Sequence, residues 1–355
     1  MNRKKTRQVV VGGIPIGGGA PVTIQSMLSL PWSEREGNLA QARELEAAGC
    51  QILRVAVPNM ESVGLVSALK KAVSMPIVAD IHFDWRLALA SVEAGADKIR
   101  INPGNIGSEE RVKEVAHLCG ARRIPIRVGV NSGSIEQSIL AKYGHPTPEA
   151  MVESALYHAS LLEEYDFDQI VLSMKSNDVP VMMAAYRLLS GQSDYPLHLG
   201  VTHTGTAKMG LLKSAIGIGG LLAEGIGDTV RVSLLAPTVE EIAAAKDILK
   251  AAGLGGGVEI IACPTCGRTT TDVMTLTAQV DEALKDVDFP ITVAVMGCAV
   301  NGPGEAREAD LGVTGGGGGK CALFAKGKLL YTVPEAEAIP ALLREVEKIK
   351  QNLTN

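Results

Sequence analysis

Aromatic residues are scarce in this 355-residue chain, which has four Phe, two Trp and six Tyr, so the ring side chains that often dominate a core are largely missing. Small aliphatic residues must fill the interior instead, and Val, Ile and Ala suit parallel sheets whose strands are covered on both faces. A basic excess is missing as well: 34 Lys and Arg stand against 39 Asp and Glu, for a net charge of −5. That balance argues against a nucleic-acid surface, so any anion site must be local. No apolar run approaches membrane-spanning length, and the apolar part of the basic start, Val9–Val11, is too short for a secretory segment. Six cysteines without an export signal belong in a reducing compartment, where thiols serve as ligands or buried fillers rather than as disulfides. The expected location is the cytoplasm.

What is present points to an α/β protein of two domains, since 355 residues exceed the size at which one core usually stops growing. The first two-thirds repeats a short apolar strand, a polar loop and an amphipathic helical stretch, the signature of a parallel sheet. Candidate strands are 22–27, 52–57, 77–81, 98–102, 125–130, 169–175, 197–202 and 229–234. Eight parallel strands over about 250 residues match a closed (β/α)8 TIM-type barrel better than an open sheet. A Gly-rich stretch, Leu254 to Gly257, then separates residues 1–254 from a smaller α+β domain over 255–355. There the pattern predicts strand 258–263, helix 272–284, strand 291–298, a loop over 301–319, a hairpin through 326–328 and a helix over 335–351. The run Gly315–Gly319 before Lys320 looks like a phosphate loop, but Thr314 occupies the first Gly position and Cys321 the Ser/Thr position, which rejects a nucleotide reading. The Gly217, Gly219, Gly220 cluster likewise lacks dinucleotide spacing and suits close packing.

The chemistry-bearing residues fall in two groups. In the C-terminal domain, Cys263 and Cys266 form a C-x-x-C pair at one strand end and Cys298 ends the next strand. Three thiolates converging from neighbouring strand ends suit zinc or an iron–sulfur cluster. Two fourth ligands are open: Cys321 gives a closed four-sulfur site, whereas the turn Asn301–Glu305 delivers a carboxylate seven residues after Cys298. Cys50 and Cys119 read as buried small apolar residues. In the barrel, Arg54, Arg100, Arg127 and Lys175 lie on four strands with Asn102 and Asn131 near the strand ends, where the active site of such a barrel lies. Four cations at corresponding heights in an acidic protein suggest an anion site, and Arg suits a phosphate because its planar fork bonds two oxygens. Asp80 and His82 end the third strand, as a buried pair or as hydrogen-bonding groups.

The stretches CPTCGRT (263–269), GCAVNGPGEA (297–306), LGVTGG (311–316), VADIHFDWRLAL (78–89), RINPGN (100–105) and AEGIGDTVRVSL (223–234) resemble the bacterial 4-hydroxy-3-methylbut-2-enyl diphosphate synthase family, from about Gly12 to Lys348. The resemblance implies a 4Fe-4S cluster on Cys263, Cys266, Cys298 and Glu305. It implies reductive opening of 2-C-methyl-D-erythritol 2,4-cyclodiphosphate in the non-mevalonate (MEP) isoprenoid pathway, with ferredoxin or flavodoxin as electron donor. It further implies a homodimer in which the cluster domain of one subunit caps the barrel of the other. The family's diphosphate contacts match Arg54, Arg100, Asn102, Arg127, Asn131, Lys175 and Ser233, and its candidate proton donor matches Glu224. Strand geometry makes the last role awkward, since Glu224 precedes the eighth strand; a structural cap is the alternative. The chain departs from the family pattern at Leu28–Trp32, where an Asn/Thr-rich loop is usual, and at His203, where a Glu is usual.

Overall fold

The computed structural model describes residues 3–102, 109–298 and 307–354. The chain divides into two compact units, Met1–Gly255 and Gly256–Asn355.

The first unit opens with a hairpin that the sequence reading did not anticipate. β1 (Gln8–Val11) and β2 (Ile14–Gly17) pair antiparallel with Val11 opposite Ile14. The two-residue turn needs positive φ at both positions; Gly12 and Gly13 supply φ of 53° and 92°. Eight parallel strands follow: β3 (Thr23–Met27), β4 (Ile52–Ala56), β5 (Ile77–Asp80), β6 (Lys98–Ile101), β7 (Ile126–Asn131), β8 (Ile170–Lys175), β9 (His198–Leu199) and β10 (Thr229–Val230). Their order is β8-β7-β6-β5-β4-β3-β10-β9, and a parallel bridge between Leu172 and Leu197 joins the two ends. The expected barrel is therefore present and nearly closed. β9 and β10 are shorter than the sequence pattern predicts, because the chain leaves the ladder beyond Leu199 and Val230.

Strand alternation sorts the side chains. Leu53, Val55, Ile99, Ile101, Val128, Leu172 and Met174 face outward into the core shared with the helices. Their neighbours face inward: Ile52, Val78 and Val171 pack with Val9, Val11 and Ile16 of the hairpin. The hairpin thus plugs the N-terminal end of the barrel with an apolar floor, and the inward positions above it are polar. The loops leaving the strands end in helix caps, where Asp84, Asp178 and Thr206 accept hydrogen bonds from Arg86, Val181 and Met209 backbone N–H groups. Helix N-termini therefore surround the C-terminal end of the barrel, adding partial positive charge.

The second unit is a five-stranded mixed sheet in the order β11 (Val258–Ala262), β12 (Ile291–Met296), β13 (Leu311–Gly317), β14 (Lys320–Ala325), β15 (Lys328–Pro334). Helices Val273–Leu284 and Ala338–Thr354 complete it. The part of the expected 301–319 loop from Leu311 to Gly317 is strand β13, a correction to the sequence reading. Leu311 and Val313 bury themselves in the sheet core, and Gly315 is required for close approach, since a Cβ there would lie 2.6 Å from Thr271 Cγ2. Gly317, Gly318 and Gly319 turn the chain into β14 with φ of 76°, 61° and 73°. The glycine run is thus a strand end and a turn.

Candidate active site

The polar interior of the barrel collects the predicted basic residues. Arg54, Arg100 and Arg127 are 8%, 6% and 0% exposed, while Lys175 is partly exposed at the end of β8. Register places Arg100 beside both Asp80 and Arg127, and Asn131 beside Lys175. Asp80 organises the centre: its carboxylate lies 3.2 Å from Arg100 Nη1, 3.7 Å from Arg54 Nε and 3.4 Å from His82 Nε2. Burial opposes its ionisation, but the Arg54 charge, the His82 hydrogen bond and the Arg100 charge outweigh that and hold it far below the usual carboxylate range. Arg54 also donates from Nε and Nη2 to Met27 Sδ at 3.0 and 2.8 Å. Arg100 lies across Gly129, donating to its carbonyl at 3.2 Å; a Cβ on Gly129 would sit 2.6 Å from Arg100 Nε. Asn102 donates to Ser134 Oγ at 2.9 Å, and Ser134 Oγ donates to the Asn131 carbonyl at 3.3 Å. These bonds tie the loops after β6 and β7 together. Ser233 lies beyond β10, partly exposed, and its carbonyl accepts from Thr204 Oγ1 at 3.0 Å.

Three interior residues escaped the sequence reading. Lys98 is fully buried, Arg231 is partly buried with Nη2 3.9 Å from Glu241, and His198 is fully buried at the start of β9. The signal was available as period two, since Lys98 precedes Arg100 by two positions and Arg231 precedes Ser233 by two. Six cations, Arg54, Lys98, Arg100, Arg127, Lys175 and Arg231, thus face one another, as their mutual repulsions record. The acids named among their electrostatic partners are Asp80 and Glu241. Burial pulls Arg54 down to about 10, with repulsion from Arg231 and Arg100 adding to it against the pull of Asp80. Arg127 Nε and Nη1, Arg100 Nε and Lys98 Nζ are buried with no hydrogen-bond partner among the described residues. Such atoms are costly to bury unmatched, and the arrangement suits an anionic ligand.

Glu224 is not part of this group. It follows the short helix Gly220–Ala223 and forms a bidentate surface pair with Arg187 at 2.8 and 2.6 Å, both side chains roughly half exposed. The next residue, Gly225, accepts from Lys4 N in the segment leading to the hairpin. Glu224 therefore stands at the hairpin end of the barrel, and Arg187 holds its carboxyl below the usual range. The structural alternative is the one this geometry favours.

In the second unit, Cys263 follows β11 and its N–H donates to the Val295 carbonyl of β12 at 3.0 Å; Cys298 lies just past β12 and is buried. Cys266 is exposed, its N–H bonded to Thr269 Oγ1 at 3.2 Å, while Thr270 N donates to the Gly297 carbonyl at 2.8 Å. The 265–270 loop is thereby pinned at Thr270 to Gly297, beside Cys298. Gly297 is needed for this closure, since a Cβ there would lie 2.8 Å from Thr269 Cγ2. Hydrogen bonds from the Arg268 backbone and side chain, with its charge, pull the Cys266 thiol down. Among the described residues no three His, Cys, Asp or Glu side chains are grouped to hold a metal ion, and Glu305 lies outside the described residues. The donor chemistry fits an iron–sulfur group: two of the thiols lie at neighbouring strand ends, the third on a loop fixed to them by hydrogen bonds. Cys321 is different. It sits on β14 in the apolar core with Val313, Leu323 and Leu342, and burial pushes its thiol up.

Comparison with known proteins agrees with both halves. The GcpE TIM-barrel domain matches residues 6–246 and the GcpE protein C-terminal domain matches residues 259–348. The 4-hydroxy-3-methylbut-2-en-1-yl diphosphate synthase (flavodoxin) of Clostridium perfringens is 52% identical over 98% of this chain and 100% of its own length. That of Geobacter sulfurreducens is 50% identical over 98% of each chain. Among solved structures, the dihydropteroate synthase of Yersinia pestis superposes with a TM-score of 0.50 at 13% identity, covering 69% of this chain and 98% of its own, a likeness of fold alone. No described helix is long and apolar enough to cross a membrane. With its barrel and its C-terminal domain both matched, in that order and over nearly the whole chain, the protein belongs to the GcpE family.

Proposed function

We infer that this chain is a cytoplasmic 4-hydroxy-3-methylbut-2-en-1-yl diphosphate synthase, reductively opening 2-C-methyl-D-erythritol 2,4-cyclodiphosphate with loss of water in the MEP route to isoprenoids. The observation that carries the substrate class is the buried cation excess inside the barrel of a protein whose net charge is −5. Arg54, Arg100, Arg127 and Lys175 hold the diphosphate, each charge-assisted bond contributing roughly 1.5–3 kcal/mol. Asp80 orients Arg54 and Arg100, and Asn102, Asn131 and Ser233 line the mouth. Cys263, Cys266, Cys298 and Glu305 would hold a 4Fe-4S cluster, which would supply electrons and a Lewis-acidic iron when bound. The relatives' names support flavodoxin as the donor to it, with ferredoxin the alternative.

The direct test is anaerobic turnover of the cyclodiphosphate with reduced flavodoxin; no product from iron-loaded protein sinks the assignment. Glu305→Ala separates the carboxylate from the barrel. Turnover is expected to fall about 10- to 100-fold, by more than cyclodiphosphate affinity falls, because the barrel cations supply most of the binding. Unchanged turnover removes Glu305 from the ligand set.

The cluster unit and the barrel belong to one reaction, and we propose that a homodimer joins them, the cluster unit of one subunit capping the barrel of the other. Hybrids of a Cys298→Ala subunit and an Arg127→Met subunit, each strongly impaired as a pure dimer when assayed well below saturating substrate, then regain about half of one wild-type dimer's activity at most, from the single intact composite site. Hybrids as inactive as the parents refute the shared site.

A further inference from the structure

Two groups in the barrel interior have no part in the binding scheme above. Lys98 opens β6 two positions before Arg100, about 6.6 Å deeper along the strand. It is fully buried, and its Nζ has no hydrogen-bond partner among the described residues. His198 opens β9, also fully buried; its Nδ1 lies 3.4 Å from Thr229 Oγ1 and its Nε2 has no partner. Tyr186 Oη donates to the His198 carbonyl at 2.6 Å and leaves the ring free.

The charged groups around them are cationic, and the rest are apolar or carry only hydroxyls, as Thr229 and Tyr186 do. β5 places Val78 beside Lys98, and the hairpin brings Val9, Val11 and Ile16 to the floor. Arg54 of β4 and Arg127 of β7 act on both Lys98 and His198, and Lys175 of β8 and Lys98 itself act on His198, so the two share a single added proton. Arg231, just beyond β10, repels Arg54 and Lys175 in the same group. The interior acids are engaged elsewhere: Asp80 with Arg54, Arg100 and His82, and Glu241 with Ser26, the Leu234 N–H and Arg231.

We propose that Lys98 and His198 form a proton-accepting floor beneath the anion site, taking up a proton when the cyclic diphosphate binds above them. Guanidinium groups do not release their protons in proteins, so repulsion within the cluster is relieved at lysine and histidine. Burial first, then the neighbouring cations, pushes both Lys98 and His198 well below their ordinary values. An arriving dianion offsets part of that positive field and raises both, so a proton enters with the ligand. Ring opening makes an internal phosphate terminal and adds an ionisable oxygen, and the charge gained by the floor offsets it. The inference rests on the substrate reading above, and its test separates the two.

Titration calorimetry of the whole protein with 2-C-methyl-D-erythritol 2,4-cyclodiphosphate, at pH 8 in buffers of low and high ionisation heat, reads both quantities. Each phosphorus of this ligand carries one strongly acidic oxygen and no group that titrates near neutrality, so protons counted belong to the protein. Wild type is expected to take up roughly one proton per ligand, with affinity weakening up to about tenfold per pH unit as pH rises. Lys98→Met, which removes the amine without orphaning a partner, and His198→Asn are each expected to lower the uptake, with melting curves confirming that the variants fold. Binding without uptake, or uptake unchanged in both variants, overturns the proton-accepting floor and leaves the substrate reading standing. Absence of binding overturns the substrate reading and this inference with it.

Discussion

Arg127→Met is expected to raise the melting temperature and to weaken cyclodiphosphate binding in the same protein. Arg127 is fully buried, its Nε and Nη1 have no partner, and burial and then Arg54 and Arg100 all disfavour its charge. Asp80 and Tyr186 favour the charge but do not outweigh this, since the Asp80 oxygens already face Arg100, Arg54 and His82. Desolvating a cation costs several kcal/mol, and replacing buried charge by an apolar chain of similar length is often stabilising by about 1–4 kcal/mol. For a unit of this size each kcal/mol moves the midpoint by roughly 2–4 °C. The ligand sees the opposite sign. Losing one charge-assisted bond removes about 1.5–3 kcal/mol, a roughly 10- to 150-fold loss of affinity. Calorimetric melting and ligand titration measure both. A variant that melts lower and binds like wild type makes Arg127 a structural residue and removes it from the anion site.

That opposition of signs also explains what the sequence could and could not reveal. Strand alternation made Arg54, Arg100 and Arg127 visible, because a charged residue inside an apolar strand stands out against its neighbours. The barrel followed from counting βα units, and the structure bears it out. Lys98 and Arg231 carried the same two-residue signal but sit at strand ends, where a charge reads as ordinary loop polarity. His198 was hidden because β9 is two residues long, too short for any period. The hairpin was missed since Val9–Val11 is a brief apolar run whose partner face exists only once Ile52, Val78 and Val171 close into a ring. β13 was missed for the opposite reason: glycines that read as loop are there to admit Thr271 beside the strand. Glu224 carried two readings, proton donor and structural cap, and the sequence could not choose between them, since its neighbour in space, Arg187, is 37 residues away in the chain.

Cys298→Ala is expected to abolish iron binding and reduce turnover by more than about 100-fold, since even residues that only support metal ligands cost 10- to 100-fold when removed. Cys298 is 6% exposed just past β12, and the change deletes only one sulfur, so the sheet beneath it should fold as before. Cys321→Ala is the matched comparison, because this thiol is fully buried among Val313, Leu323 and Leu342. That variant is expected to keep its iron and its brown colour and to lose about 1 kcal/mol of stability from the small void left in the core. The pair decides between the two possible fourth ligands. Were Cys321 a ligand, both variants would lose metal together. A core position predicts instead that metal content follows Cys298 and melting temperature follows Cys321. Iron analysis and absorbance of anaerobically purified protein distinguish these outcomes, and a colourless wild type containing zinc would replace the cluster with a structural metal and leave the barrel's anion site without its electron source.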